Sequence, residues 1–85
     1  MHNETVLIST REVLRRTGYS RTTLHNKINE SLFIRPIKFG ERNTVWPQSE
    51  VESFLKFIIS EPSTEQVKEL VHKIHDRRKT DGMKP

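Results

Sequence analysis

The 85-residue chain has no cysteine, only three glycines, one tryptophan and one tyrosine. Without cysteine there is no disulfide framework, no thiolate nucleophile and no cysteine zinc site, and a reducing cytosol is the natural setting. No apolar run approaches the ~20 residues that a membrane-spanning helix needs. The opening "MHNETVLIST" lacks the basic start and apolar block of a signal peptide, so a cytoplasmic protein is expected, associated with the nucleoid if it binds DNA. No Ser-His-Asp set, no pair of carboxylates placed for burial and no phosphate-cradling glycine loop is visible, so no catalytic residue and no cofactor is expected. His72 and His75 stand three apart on a helical pattern, but no further ligands lie at suitable spacing, and no metal site is expected.

What the chain does have is regular apolar spacing on a polar background, with 32% hydrophobic and 31% charged residues. At this length one small core is affordable and a deep substrate cavity is not expected. The net charge is +4 and its distribution is uneven. Residues 1–60 carry nine Lys and Arg against six Asp and Glu, while residues 61–85 carry six against five, so the excess falls where the folding pattern is clearest. A polyanion is the partner such a surface suits.

Local signals set out the elements. In "ISTREVLRRTG" Ser9 and Glu12 form a capping box, with Ile8 and Val13 as the flanking staple, so a helix starts at Thr10 and Gly18 ends it. Val13 and Leu14 face inward there, and Arg11, Arg15 and Arg16 are expected to stay wet. Ser20 caps a second helix, Arg21 to about Glu30, with Tyr19 and Leu24 as its staple. Leu24 and Ile28 make its apolar edge, and at ~100° per residue the opposite side carries Thr22, Asn26 and Asn29, with His25 on one flank.

The period then changes. "PIKF" and "TVW" read as two short antiparallel strands, about Pro36 to Phe39 and Thr44 to Trp46, joined by a turn that presents Arg42 and Asn43. Trp46 is expected to anchor the core beneath this hairpin. Pro47 suits the first position of a third helix, with Val51, Phe54, Leu55 and Ile58 as its inward stripe. Phe57 and Ile59 fall off that stripe, and either pack on the next helix or mark a partner surface. Ser63 and Gln66 form another capping box, opening a fourth amphipathic helix from Thr64 to about Arg78 through Val67, Leu70, Val71 and Ile74. "KTDGMKP" has no periodicity. The expected organisation is a domain over residues 1–60, a C-terminal helix over 61–78 and a disordered tail over 79–85.

Two capped helices across a short glycine-containing turn, followed by a hairpin, make a winged helix-turn-helix, mainly α with a small β-hairpin. In that arrangement the first helix braces the second, whose outward face enters a major groove. Short polar side chains suit such a face, since Asn pairs bidentately with adenine and acidic side chains would be repelled by phosphate. A basic wing tip can reach the backbone or a narrow minor groove. The candidate duplex DNA contacts are Arg11, Arg21, Thr22, Thr23, His25, Asn26, Lys38, Arg42 and Asn43.

The run from Leu7 to Phe57, through "EVLRRTGYSRTTL", "RPIKFG", "GERNTVW" and "SEVESFL", resembles the AlpA family of phage-type regulators, grouped with small excisionases in the winged-helix class that includes MerR-type domains. The resemblance implies either a recombination directionality factor, which bends attachment-site DNA and works with an integrase, or an activator of an integrase gene. It places the DNA contacts on Arg21, Thr22, the neighbouring outward residues and the basic wing. Two positions depart from the family's habit, Leu24-His25-Asn26 and Ile34, the latter standing where proline is common. Self-association on DNA would suit so small a module. A rival reading is an adaptor that inhibits a partner regulator through the apolar side of the fourth helix.

Overall fold

In the computed structural model, which describes residues 5–82, helix starts coincide with the serine caps that the sequence displays. The elements are β1 (Leu7–Ser9), α1 (Thr10–Thr17), α2 (Arg21–Asn29), β2 (Ile37–Phe39), β3 (Asn43–Pro47), α3 (Gln48–Ile58) and α4 (Thr64–Gly82). Ser9 Oγ accepts the Glu12 N–H at 3.2 Å. Only half of that capping box forms, because the Glu12 carboxylate is taken by Arg15 and Arg16. Those two guanidiniums, Arg15 first, hold the Glu12 carboxyl down at about 2 from its usual 4.5. The box at α4 is complete: Ser63 Oγ accepts the Gln66 N–H and Gln66 Oε1 accepts the Ser63 N–H.

The sheet has three strands where the sequence pattern predicts two. β1 pairs antiparallel with β3, Ile8 opposite Trp46, so the order is β1-β3-β2. Three residues are too few to show alternation, and their partners lie about forty residues away. β2 starts at Ile37, so Pro36 stands just ahead of the ladder to which it could not donate. Pro47 ends β3 and precedes the helix, which begins at Gln48 and not at the proline.

The core joins Ile8, Val13, Leu24, Phe33, Ile34, Trp46, Val51 and Phe54 with Val67, Val71 and Ile74 of α4. Phe33 lies at its centre, edge-on to Tyr19, Trp46 and Phe54, with ring centroids 6.2, 6.5 and 4.9 Å away. The fourth helix is therefore part of the same core, and the apolar side that an adaptor would offer to a partner is occupied within the chain. It also runs to Gly82, four residues past the expected end at Arg78. Of the expected disordered tail over 79–85, residues 79–82 are helical and 83–85 lie outside the described residues.

Arg16 is not wet. Its guanidinium donates to Glu12 and to Gln48 Oε1 at 2.9 Å and lies within ion-pair range of Glu52, which ties α1 to α3. Ile58, the last residue of α3, is exposed and lines an open hollow with Tyr19, Leu32, Pro62 and Val67, so the inward stripe ends at Leu55. Of the two residues off that stripe, Phe57 is half-buried and Ile59 is 79% exposed.

Candidate nucleic-acid interface

The turn between α1 and α2 is fixed by local bonds. Gly18 takes the left-handed conformation, φ 79°, and donates its N–H to the Leu14 carbonyl at 2.8 Å. Thr17 Oγ1 donates to the Val13 carbonyl and accepts the Tyr19 N–H. Ser20 Oγ accepts the Thr23 N–H at 3.1 Å and so starts α2. Behind the helix Leu24 is buried and Ile28 is half-buried. In front, Arg21, Thr22, His25, Asn26 and Asn29 are all exposed.

A groove of about 440 Å³ runs between α2 and the sheet, lined on the helix side by Arg21, Thr22, His25 and Ile28 and on the sheet side by Pro36, Thr44 and Trp46. It continues through the shared residues Thr10, Arg21 and Thr44 into a second hollow of about 450 Å³, bounded by Ser9, Arg11, Arg42, Asn43 and Val45. Arg11 from α1, Arg21 from α2 and Arg42 from the hairpin turn therefore border one trough. Among the described residues none of the three makes an ion pair with a carboxylate, whereas Arg15, Arg16 and Arg78 do. An exposed guanidinium left unpaired on a concave surface keeps its donors for an incoming anion.

The hairpin turn Gly40–Arg42 lifts the wing tip clear of the core, and Gly40 takes the left-handed conformation the reversal needs, φ 78°. Lys38 stands directly opposite Thr44 in the ladder, which puts it on the groove face of β2 with Pro36 two residues before it. Phe39 pairs with Asn43 on the other face and is 64% exposed. Asn43 opens β3 with an ordinary backbone, so it is not there to supply an unusual turn conformation.

Of the nine candidate contacts, the structure brings Arg11, Arg21, Thr22, His25, Arg42 and Asn43 around the trough. Lys38 and Asn26 line neither hollow: Lys38 is exposed on β2 opposite Thr44, and Asn26 is exposed on α2. Thr23 is half-buried, and its hydroxyl accepts a bond from Ser20 Oγ at 3.0 Å beside the cap. Sequence reading missed Thr10 and Thr44 on the floor of the trough. Thr44 was within reach, since it stands two residues from Trp46 and must share its face of the strand.

The family model described as Prophage CP4-57 regulatory protein (AlpA) matches residues 7–59, more than half of the chain. The chain belongs to the AlpA family. AlpA-family proteins are phage regulatory DNA-binding proteins, and the matched stretch contains α1, the turn, α2, the whole hairpin and α3. In this AlpA-family chain α4 lies outside the match yet supplies part of the core. No curated protein and no solved structure gives a significant match. No helix among the described residues is long and apolar enough to cross a membrane, and no group of three or more His, Asp or Glu among them could hold a metal ion.

Proposed function

We propose that the protein binds duplex DNA in a sequence-specific manner, with the N-terminal half of α2 in a major groove and the hairpin beside it. The observation that carries this reading is the trough on which Arg11, Arg21 and Arg42 converge from three separate elements next to a polar helix face. The arginines grip phosphates, which positions the module. Thr22, His25 and Asn26 then read base edges.

One such module buries only ~600–1,000 Å² of protein surface, which gives modest affinity at a single site. Several copies on adjacent sites would supply useful occupancy, and that suits a factor that shapes DNA. Within the AlpA family we therefore favour an excision factor, acting beside an integrase at the attachment sites of a mobile element and confined to the cytoplasm with its DNA. Activation of an integrase gene is the competing role.

Salt-dependent binding tests the first part. If about four phosphates are neutralised, log K against log salt falls with a slope of about −3.6. Absence of any retarded duplex at low ionic strength would overturn the reading. With the integrase expressed from an independent promoter, an excision factor still raises the yield of excised circular DNA. If circles then no longer depend on this protein, the promoter role stands in its place.

A further inference from the structure

We infer that Arg35 is a further phosphate-gripping residue of the DNA interface, and that α4 is the brace that holds it. This rests on the proposed DNA-binding mode and extends it past the groove lining, to the residue that precedes Pro36 of the groove wall.

Arg35 lies in the loop between α2 and β2. Before it, Phe33 and Ile34 are completely buried; after it, Pro36 lines the groove beside His25 and Ile28. Its own residue is exposed, and among the described residues its guanidinium has no carboxylate partner. A cation is thus presented where the chain passes from core to groove wall.

The backbone of Arg35 is held in an uncommon way. Neither polar group joins a strand or a helix; both are taken by side chains of α4. The N–H donates to His75 Nε2 at 3.1 Å, and the carbonyl accepts from Arg78 Nη2 at 3.0 Å. Arg78 is itself fixed by a fork to Glu50 on α3, with bonds of 2.6 and 2.9 Å, and both side chains are 17% exposed. A peptide clamped on both sides by residues forty and more positions away has little freedom left, so its side chain starts from a fixed root. Pre-organisation of that kind lowers the ordering cost of binding. It also gives α4, which lies outside the family match, a task at the interface without direct contact to DNA.

The charge and its setting point to phosphate in preference to a base edge. Arg35 sits beyond Ile28, past the polar part of α2, next to the rigid proline corner. A duplex laid along the trough passes this point with its backbone.

The test uses the full chain and measures binding to preferred and random duplexes across a salt series. Arg35→Ala is expected to flatten the slope of log K against log salt by about 0.9, the value of one phosphate, with the same proportional loss on both duplexes. Arg35→Lys keeps the charge and is expected to keep the slope. Arg78→Gln is expected to weaken binding when Arg35 is present and to have no further effect in the Arg35→Ala background, with thermal melts used to keep every variant folded during the assay. An unchanged slope for Arg35→Ala, or a loss confined to the preferred duplex, overturns the assignment of Arg35. Equal losses from Arg78→Gln in both backgrounds overturn the brace. All these results leave the wider DNA-binding reading standing, since that fails only if the unaltered chain retards no duplex.

Discussion

Trp46 donates its indole N–H to the carbonyl of Ile34 at 2.9 Å, and both residues are buried. The bond joins β3 to the loop that leads into β2, so the wing is fastened to the core at its root and not along its length. Buried peptide groups need partners, and in this irregular loop no ladder is at hand to supply one. The indole satisfies the carbonyl while its ring fills the floor of the groove behind α2. The same side chain thereby fixes the angle between the wing and the recognition helix.

Replacing Trp46 by phenylalanine removes the donor and leaves the Ile34 carbonyl unpaired in the core. The expected loss is about 1–3 kcal/mol of folding stability, with an additional packing loss from the smaller ring. Urea unfolding followed by circular dichroism measures it, since the variant has no tryptophan to report by fluorescence.

Arg42→Ala and Asn26→Ala are expected to fail in different ways. Loss of Arg42 removes a phosphate contact, flattening the salt slope by about 0.9 and weakening all sequences alike. Loss of Asn26 costs about 1–3 kcal/mol on the preferred site and nothing on random DNA. Parallel titrations of both duplexes separate the two, and equal losses for Asn26→Ala on both would remove it from base reading.

Among the described residues two other than glycine hold left-handed conformations, Ser31 at φ 61° and Glu61 at φ 54°, both at helix ends. Around Ser31 the bonds from Leu32 N–H to the Lys27 carbonyl and from Ser31 N–H to the Ile28 carbonyl close a Schellman turn, where glycine is usual. Ser31→Gly relieves a strain of about 1–2 kcal/mol. Against that stands the extra entropy of glycine, about 0.5–1 kcal/mol. A net gain of up to about 1.5 kcal/mol is expected, and each 1 kcal/mol raises Tm by about 4–8 °C for a domain of this size. Gly18→Ala is expected to do the reverse, although open space surrounds the added methyl, because φ 79° itself is the obstacle. Thermal melts of the two variants should move in opposite directions.

Stability is expected to decline in two stages on acidification. Burial, then the nearby Arg35 and Arg78 charges, push the His75 imidazole down to about 4 from 6.5. The folded state thus binds the proton less readily than the unfolded chain does. Its contribution is complete above about 6.5 and fades as the pH falls towards 4, where protonation also destroys the acceptor for the Arg35 N–H. Glu12, held down at about 2, adds a second decline below 4.5. Denaturant midpoints between pH 7 and 3 would record both stages, and His75→Gln should remove the upper one only.

The elements readable in advance were those whose signals lie within three or four residues of one another. Ser9, Ser20 and Ser63 cap helices at the positions expected, and Gly18 stops α1, because a side-chain oxygen three positions from its partner N–H is a local arrangement whatever the rest of the chain does. The turn between α1 and α2 followed, and with it the outward placement of Thr22, His25 and Asn26. The AlpA resemblance read over Leu7 to Phe57 rests on the same order of local motifs.

Only tertiary structure could decide which surface residues are free and which are tied. Arg16 and Arg11 lie on one short helix with equal charge, yet Arg16 meets Gln48 and Glu52 of α3 while Arg11 borders the trough. Strand β1 exists because β3 passes beside it, and "SLFIRP" has no period that would reveal Phe33 as the centre of the core or Arg35 as clamped by α4. Such pairings bring together residues from 21 positions apart, Phe33 and Phe54, to 43 apart, Arg35 and Arg78. Their energy depends on where the core puts each element, and the residues themselves do not encode that position locally.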